Sequence, residues 1–92
     1  MPTQERVREM FNYRPDGRLV LRIHRSCRNT IGDLVGTINA SFRHRRIRVD
    51  GKYYDSRKIV TLWHHGYFPT TAKYINGIEG DDRIENIWAE KP

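Results

Sequence analysis

The feature that most constrains the fold is the dipeptide Asp50-Gly51, which lies near the middle of the chain. Asp-Gly is a strong signal for a two-residue β-hairpin of type I′, because both turn residues must adopt a positive φ angle. The alternating residues 42–49 before it predict a strand, and residues 52–54 predict the returning strand. The centre of the chain is therefore expected to form an antiparallel hairpin.

The alternation gives this predicted hairpin one largely apolar face and one basic face. Ile47 and Val49 fall on one face, together with Arg45. The opposite face carries a row of basic or titratable side chains: His44, Arg46 and Arg48. Because a solvated sheet face is often charged, this row predicts either a binding surface or an ordinary solvated face.

The rest of the chain predicts short elements around the hairpin. Helices are expected over residues 4–12 and about 55–65, strands over 18–24, 34–39 and 72–75, and a terminal helical stretch over 82–88. Asp55 or Ser56 would begin the second helix and Gly66 would end it. The strand over 18–24 would place Arg22 and His24 beside the basic row. The predicted class is α+β: a short N-terminal helix, a small antiparallel sheet of three to four strands, a helix, then a strand–loop–helix segment.

Composition limits how the chain is stabilised and where it works. The single cysteine, Cys27, excludes an intramolecular disulfide, so a small core must hold one domain of 92 residues. Cysteine usage of this kind fits a reducing compartment. No apolar run is long enough to span a membrane, and the first residues lack the apolar segment of a signal peptide. We therefore expect a cytoplasmic protein with no membrane partner.

The charge is unevenly distributed along the chain. The formal net charge is +6, from 17 Lys and Arg against 11 Asp and Glu. Basic residues dominate between positions 14 and 58, whereas residues 78–92 are mainly acidic. A basic surface of this kind favours a polyanionic partner, of which DNA is the first candidate.

The order of motifs resembles a known family. Residues 73–87 are similar to the core of HNH nucleases of phage homing type, which reads Asp-His-Ile-Asn-Gly, a short acidic loop, and Asp-Asn-Arg-Ile-Glu-Asn-Leu. Residues 11–19 resemble the Phe-x-Tyr-x-Pro-x-x-Gly-x-Leu opening of these proteins, and residues 32–37 their Gly-Asp-x-x-Gly-Ser segment. Residues 45–54 and 62–69 match the hairpin and helix end that follow.

On this resemblance the chain is identified as a degenerate, truncated member of the phage HNH (His-Me finger, ββα-metal) family. The resemblance implies one HNH-like domain over residues 1–92. Residues 1–54 would form the N-terminal helix and basic sheet, and residues 55–92 a degenerate ββα-type strand–loop–helix motif. A phage origin would place the protein in the cytoplasm of the host cell.

The catalytic positions implied by the resemblance are replaced. Lys73 stands where the family has its metal-binding Asp, and Tyr74 where it has the general-base His. A lysine repels a divalent cation, and a phenol with a pKa of about 10 is a poor base beside an imidazole at about 6.5. Asn86 keeps the central Asn, which braces the loop in the family, and the chain ends at Pro92 before the last metal ligand. We therefore predict no HNH catalysis, no bound metal and no cofactor.

These replacements leave DNA binding by an inactive nuclease-like protein as the first hypothesis. Arg57 and Lys58 stand where the family carries His-Arg, and Lys73 would neutralise a phosphate at the former metal position. The candidate nucleic-acid-binding residues are Arg22, His44, Arg46, Arg48, Lys52, Arg57, Lys58 and Lys73. Trp63 and Trp88 are assigned to the core, and Tyr53, like the other aromatic residues Tyr54, Tyr67 and Phe68, is expected more often in the core than on a base-stacking surface.

Two other functions remain open at this stage. The protein could inhibit or modulate a host or defence protein, as anti-restriction and anti-CRISPR factors do, with exposed Ile87 and Trp88 as its contact. It could instead be a metal-dependent nicking enzyme with a site rebuilt from Glu79, Asp81 and Asp82. A homodimer is compatible with any of these functions.

Overall fold

The computed structural model describes residues 2–23, 31–36, 45–78 and 80–92 and confirms the α+β class. In this part of the chain, two helices accompany six short strands that pair as three two-stranded antiparallel sheets, β1–β2, β3–β4 and β5–β6. The elements in order are α1 Gln4–Met10, β1 Phe11–Tyr13, β2 Leu19–Leu21, β3 Arg46–Val49, β4 Lys52–Asp55, α2 Ser56–His65, β5 Thr71–Tyr74, a 3-10 helix Ile84–Asn86 and β6 Ile87–Glu90.

The central hairpin forms as predicted. Asp50 and Gly51 have φ angles of 49° and 86°, both positive as a type I′ turn requires. The turn sets the register of β3 and β4, in which Arg48 lies opposite Tyr53. Ile47 and Val49 are buried and Arg48 is exposed, so the predicted alternation of faces is confirmed for the described part of this strand.

Helix α2 occupies the middle of the fold and also begins and ends as predicted. The Asp55 carboxylate accepts the Arg57 N–H at the first turn, and Gly66 ends the helix in the left-handed conformation with a φ angle of 85°. The helix packs against α1 and against strands of the two later sheets. Its buried residues join a core drawn from every sheet: Val7, Met10, Phe11, Leu19, Leu21, Ile47, Val49, Ile59, Val60, Leu62, Ala72 and Ile87.

The predicted single sheet of three to four strands is wrong within the described residues. Residues 11–12, expected at the end of the first helix, form β1 together with Tyr13 and pair with β2 instead. Phe11 reaches the core because its backbone turns extended at the end of α1. Of the strand predicted over 34–39, Leu34 makes an isolated bridge to Val20, and positions 37–39 lie outside the described residues.

The predicted terminal helix over 82–88 is also wrong. A 3-10 helix leads directly into β6, which pairs with β5 so that Lys73 lies opposite Trp88. The side chains of β6 alternate: Ile87 is buried, whereas Trp88 is 48% exposed. Trp88 is therefore not a core residue, and Ile87 is not available as a surface contact. The backbone N–H and C=O groups of this segment form interstrand hydrogen bonds with β5. These bonds stabilise the strand despite the helical spacing of its apolar residues.

Gly17 gives a test of how the first hairpin packs on the segment before the 3-10 helix. Its φ angle is +89°, and a Cβ there would lie 2.8 Å from Arg83 Cα and closer still to the Asp82–Arg83 peptide. Gly32 has a similar φ of +95° but would place its Cβ in open space. We expect Gly32→Ala to cost about 1–2 kcal/mol from backbone strain alone.

Gly17→Ala should cost more than this control by about 1–3 kcal/mol, because a tightly packed backbone must also move. The measurement is urea unfolding of both variants and the wild type. Equal losses for the two variants would mean that the turn does not pack on residues 82–83 as described.

Candidate nucleic-acid interface

Tyr74, at the end of β5, is half-buried and makes a polar contact with Asp82. The Tyr74 hydroxyl donates a hydrogen bond of 2.7 Å to Asp82 Oδ1. Asp82 is 2% exposed, and its other oxygen, Oδ2, lies 3.5 Å from Arg45 Nε. Strand β5 supplies Tyr74 and the residue before β3 supplies Arg45, so the contact joins the second and third sheets.

Burial determines how these two groups hold their protons. Burial raises the pKa of Tyr74, and the hydrogen bond to Asp82 raises it further. Burial also raises the pKa of Asp82, although Tyr74, Ser56 and Arg45 each act to lower it. Tyr74 therefore keeps its proton at neutral pH and serves as a hydrogen-bond donor. It does not suit the role of a general base, because a base must be unprotonated at the working pH in order to accept a proton.

Arg57 closes this site from the side of α2. It pairs with the Asp55 carboxylate, with Nε 3.0 Å from Oδ1, and its guanidinium carbon lies 5.0 Å from the centre of the Tyr74 ring. The hydrogen bond that Arg57 donates to the Asp55 carboxylate raises the pKa of Arg57. Arg57 is thus engaged with two neighbours inside the protein. Lys58, beside it, places its Nζ 5.8 Å from the Phe68 ring.

Asn86 braces the loop that follows β5. Its side chain accepts the Asn76 N–H at 3.0 Å and donates to the Asn76 side-chain oxygen at 2.9 Å and to the Asp81 carbonyl at 3.0 Å. The Asp81 carboxylate accepts hydrogen bonds from Arg83 and Asn76, which lower its pKa to about 2. The described part of this loop is therefore held by the side chains of Asn76, Asp81, Arg83 and Asn86.

The acidic residues of this loop are directed to different partners. Asp81 faces Arg83, whereas Asp82 is buried against Tyr74, and Glu79 lies outside the described residues. No group of three or more His, Cys, Asp or Glu side chains in the described ranges is placed to hold a metal ion. The described carboxylates thus do not converge into the rebuilt site considered above.

The exposed face of hairpin β3–β4 gathers two arginines around an aromatic ring. The guanidinium carbons of Arg46 and Arg48 lie 5.1 and 5.9 Å from the centre of the Tyr53 ring, and Tyr53 is 55% exposed. We call Arg46, Arg48 and Tyr53 the hairpin face. The face of an aromatic ring attracts a cation, so the Tyr53 ring holds both guanidinium groups on one side of the hairpin.

The other predicted binding residues are not part of the hairpin face. Lys52 lies opposite Val49 and therefore belongs to the other side of the hairpin. Arg22 follows β2, in a separate sheet, and donates to the Arg8 carbonyl at 2.6 Å, near the end of α1. Lys73 lies on β5, with its Nζ 5.6 Å from the Trp88 ring. His24 and His44 lie outside the described residues.

Tyr53 and Trp88 are the surface residues that sequence reasoning assigned wrongly to the core. Each follows from alternation once the pairing is known, because Tyr53 is opposite exposed Arg48 and Trp88 lies between inward-facing Ile87 and Ala89. The Asp50-Gly51 turn already specified the register of Tyr53. For Trp88 the only signal in the sequence was the alternation of residues in β6, and the apolar residues of the same segment also fit the spacing of a helix.

Comparison of the chain with protein-family models, with curated proteins and with solved structures found no match. Within the described ranges, neither helix has the length and apolar character needed to cross a membrane.

Removal of the Tyr74 hydroxyl should destabilise the protein. In Tyr74→Phe the buried Asp82 carboxylate loses its hydrogen-bond donor, and we expect a loss of about 1–3 kcal/mol in the free energy of unfolding. Tyr53→Phe removes a hydroxyl from an exposed ring and serves as the matched control, with an expected change below about 0.5 kcal/mol. Urea unfolding at pH 7 compares the two. Similar losses for both variants would contradict the role given to Asp82.

The buried carboxylate also predicts a specific dependence on pH. Because the folded protein raises the pKa of Asp82, it binds a proton more readily than the unfolded chain does, and stability falls as pH rises from about 4 through the folded pKa. Asp82→Asn keeps an oxygen that can accept from Tyr74 but does not titrate. The stability of the wild type relative to Asp82→Asn should therefore decline over this range. A constant or increasing difference between the two proteins would refute the assignment.

Proposed function

We propose that this protein is an HNH-like phage protein without nuclease activity that binds DNA through the hairpin face. The observation that carries the proposal is the placement of Arg46 and Arg48 around the exposed Tyr53 ring. Guanidinium groups bind phosphates and guanine edges in bidentate fashion. A two-stranded ribbon is also narrow enough to enter the major groove of a duplex.

The charge of the whole chain supports the same partner. A net charge of +6 attracts a polyanion at long range, and a fixed pair of arginines gives that attraction a definite place. Binding should weaken steeply with salt, with a log–log slope of about −0.9 for each phosphate contacted on a duplex.

The absence of nuclease activity is proposed from the chemistry of β5. A base would have to accept a proton at neutral pH, and the half-buried Tyr74 keeps its own proton. The neighbouring position carries the ammonium of Lys73, which repels a divalent cation instead of coordinating it. Both changes act on the family's reaction while leaving the hairpin face intact.

One gel experiment tests binding and cleavage together. Supercoiled plasmid is incubated with the protein in Mg²⁺, in Mn²⁺ and in EDTA, and we expect retarded but intact DNA in all three. Arg46→Glu with Arg48→Glu should abolish the retardation at moderate salt. Arg14→Glu with Lys91→Glu is the matched control, because it changes the net charge equally but lies outside hairpin β3–β4: Arg14 follows β1 and Lys91 follows β6.

Two results would contradict the proposal. Metal-dependent nicking would show that the protein is an enzyme after all. Equal loss of retardation in the two double variants would show that the net charge, and not the hairpin face, attracts the DNA. Urea unfolding of both variants establishes that any loss of binding does not come from unfolding.

A protein partner is the second candidate function. It is favoured by three large apolar residues in the last quarter of the chain that are about half exposed or more: Ile75, Ile78 and Trp88. Exposed apolar groups of this kind occur at protein contacts. A plasmid that is neither nicked nor retarded would favour this function, in which the protein would modulate a host or defence protein.

A further inference from the structure

The hairpin β5–β6 carries a second exposed ring with a cation. Lys73 and Trp88 are directly opposite each other in the register, and the lysine Nζ lies 5.6 Å from the centre of the indole ring. Trp88 is 48% exposed and therefore keeps ring surface open to a ligand. The other tryptophan, Trp63, packs against the core and donates its indole N–H to the Phe11 carbonyl at 3.0 Å.

This pair repeats the chemistry of the hairpin face. In both places an exposed aromatic ring projects from a two-stranded hairpin with a cation against it. A ring flanked by cations matches a nucleotide, since the ring can stack on a base while the cation meets the phosphate. An apolar contact surface would not require a cation beside each exposed ring.

Arg57 connects the two hairpins. Its partner Asp55 lies opposite Arg46 at the end of hairpin β3–β4, and its guanidinium covers the ring of Tyr74, the residue after Lys73. Arg57 and Tyr74 thus connect the two hairpins inside the protein, since Tyr74 lies on the opposite face of β5 from Lys73.

We propose that the Lys73–Trp88 pair stacks an unpaired base, so that the preferred ligand is single-stranded nucleic acid or a duplex with a single-stranded segment. The inference rests on the proposed DNA binding and adds the class of ligand. Bases in a duplex present their edges in the grooves while their faces are covered by neighbours, so an indole can stack only where the strand is unpaired. The indole stacks the base, and the Lys73 ammonium pairs with the adjacent phosphate.

The test is a fluorescence titration with an oligo(dT) single strand and with a mixed-sequence duplex of the same length. The chain contains two tryptophans, so the quenching that is lost in Trp88→Phe belongs to Trp88. We expect the single strand to quench Trp88 and the duplex to do so far less. Trp88→Ala should weaken single-strand binding by about 5- to 150-fold, the range found for loss of one stacked base.

A matched variant separates stacking from apolar contact. Ile75 lies two residues after Lys73 and is 64% exposed, so Ile75→Ala removes apolar surface nearby without removing a ring. It should leave single-strand affinity unchanged. Lys73→Gln should reduce the salt slope for the single strand by about 0.7, the value for one phosphate contact.

The outcomes distinguish this inference from the proposed function. In one outcome the protein binds the duplex through Arg46 and Arg48, but the single strand does not quench Trp88. The stacking site is then refuted and DNA binding stands. If neither ligand binds even at low salt, both proposals fail. If Trp88→Ala and Ile75→Ala weaken single-strand binding equally, the surface is an apolar contact, as a protein partner would use, and the stacking site is refuted.

Discussion

The hydrogen bond from Tyr74 to the buried Asp82 holds together parts of the chain that share no sheet. A carboxylate that is almost fully buried must find donors nearby, because leaving it unpaired costs more than an ordinary hydrogen bond contributes. Asp82 accepts a hydrogen bond from Tyr74 on β5 and forms an ion pair with Arg45, the residue before β3. The segment it belongs to is also held from a third direction, since the Tyr13 hydroxyl on β1 accepts the Ile84 N–H at 2.9 Å. Three small sheets, each too short to be stable alone, thus meet at one polar junction.

The surface is organised by a different interaction, the contact of cations with aromatic rings. Arg46 and Arg48 lie over Tyr53, and Lys73 lies over Trp88. Each contact covers part of an exposed ring and limits the freedom of a long charged side chain, so that less entropy is lost when the cation binds an anion. The same contacts explain why the two hairpins can expose large rings without burying them in the core.

Local signals predicted the central part of the fold well. The Asp50-Gly51 turn and the cap residues Asp55 and Gly66 act on their immediate neighbours, so their consequences can be read from the sequence. Strands β1 and β6 could not be predicted in this way. Each is only three or four residues long, and its conformation is determined by a partner strand elsewhere in the chain.

The candidate site shows the same division. The outward direction of Arg46 and Arg48 followed from alternation alone. The positions of the other two residues depended on strand pairing: Arg22 follows a strand of a different sheet, and Lys52 lies on the opposite face of the hairpin. The contact between Tyr74 and Asp82 could not be predicted, because seven residues separate them in the chain and no local rule specifies that contact.

The alternation of β5 separates stability from binding. Successive side chains of a strand point to opposite sides, so Tyr74 turns inward to Asp82 while Lys73 turns outward to Trp88. A change at Tyr74 therefore acts on the junction of the three sheets, and a change at Lys73 acts on the surface. These two neighbouring residues therefore act independently of each other in physical terms. Because Lys73 and Trp88 lie on the surface, we expect their variants to fold normally, so that a loss of the proposed binding in them is attributable to the surface.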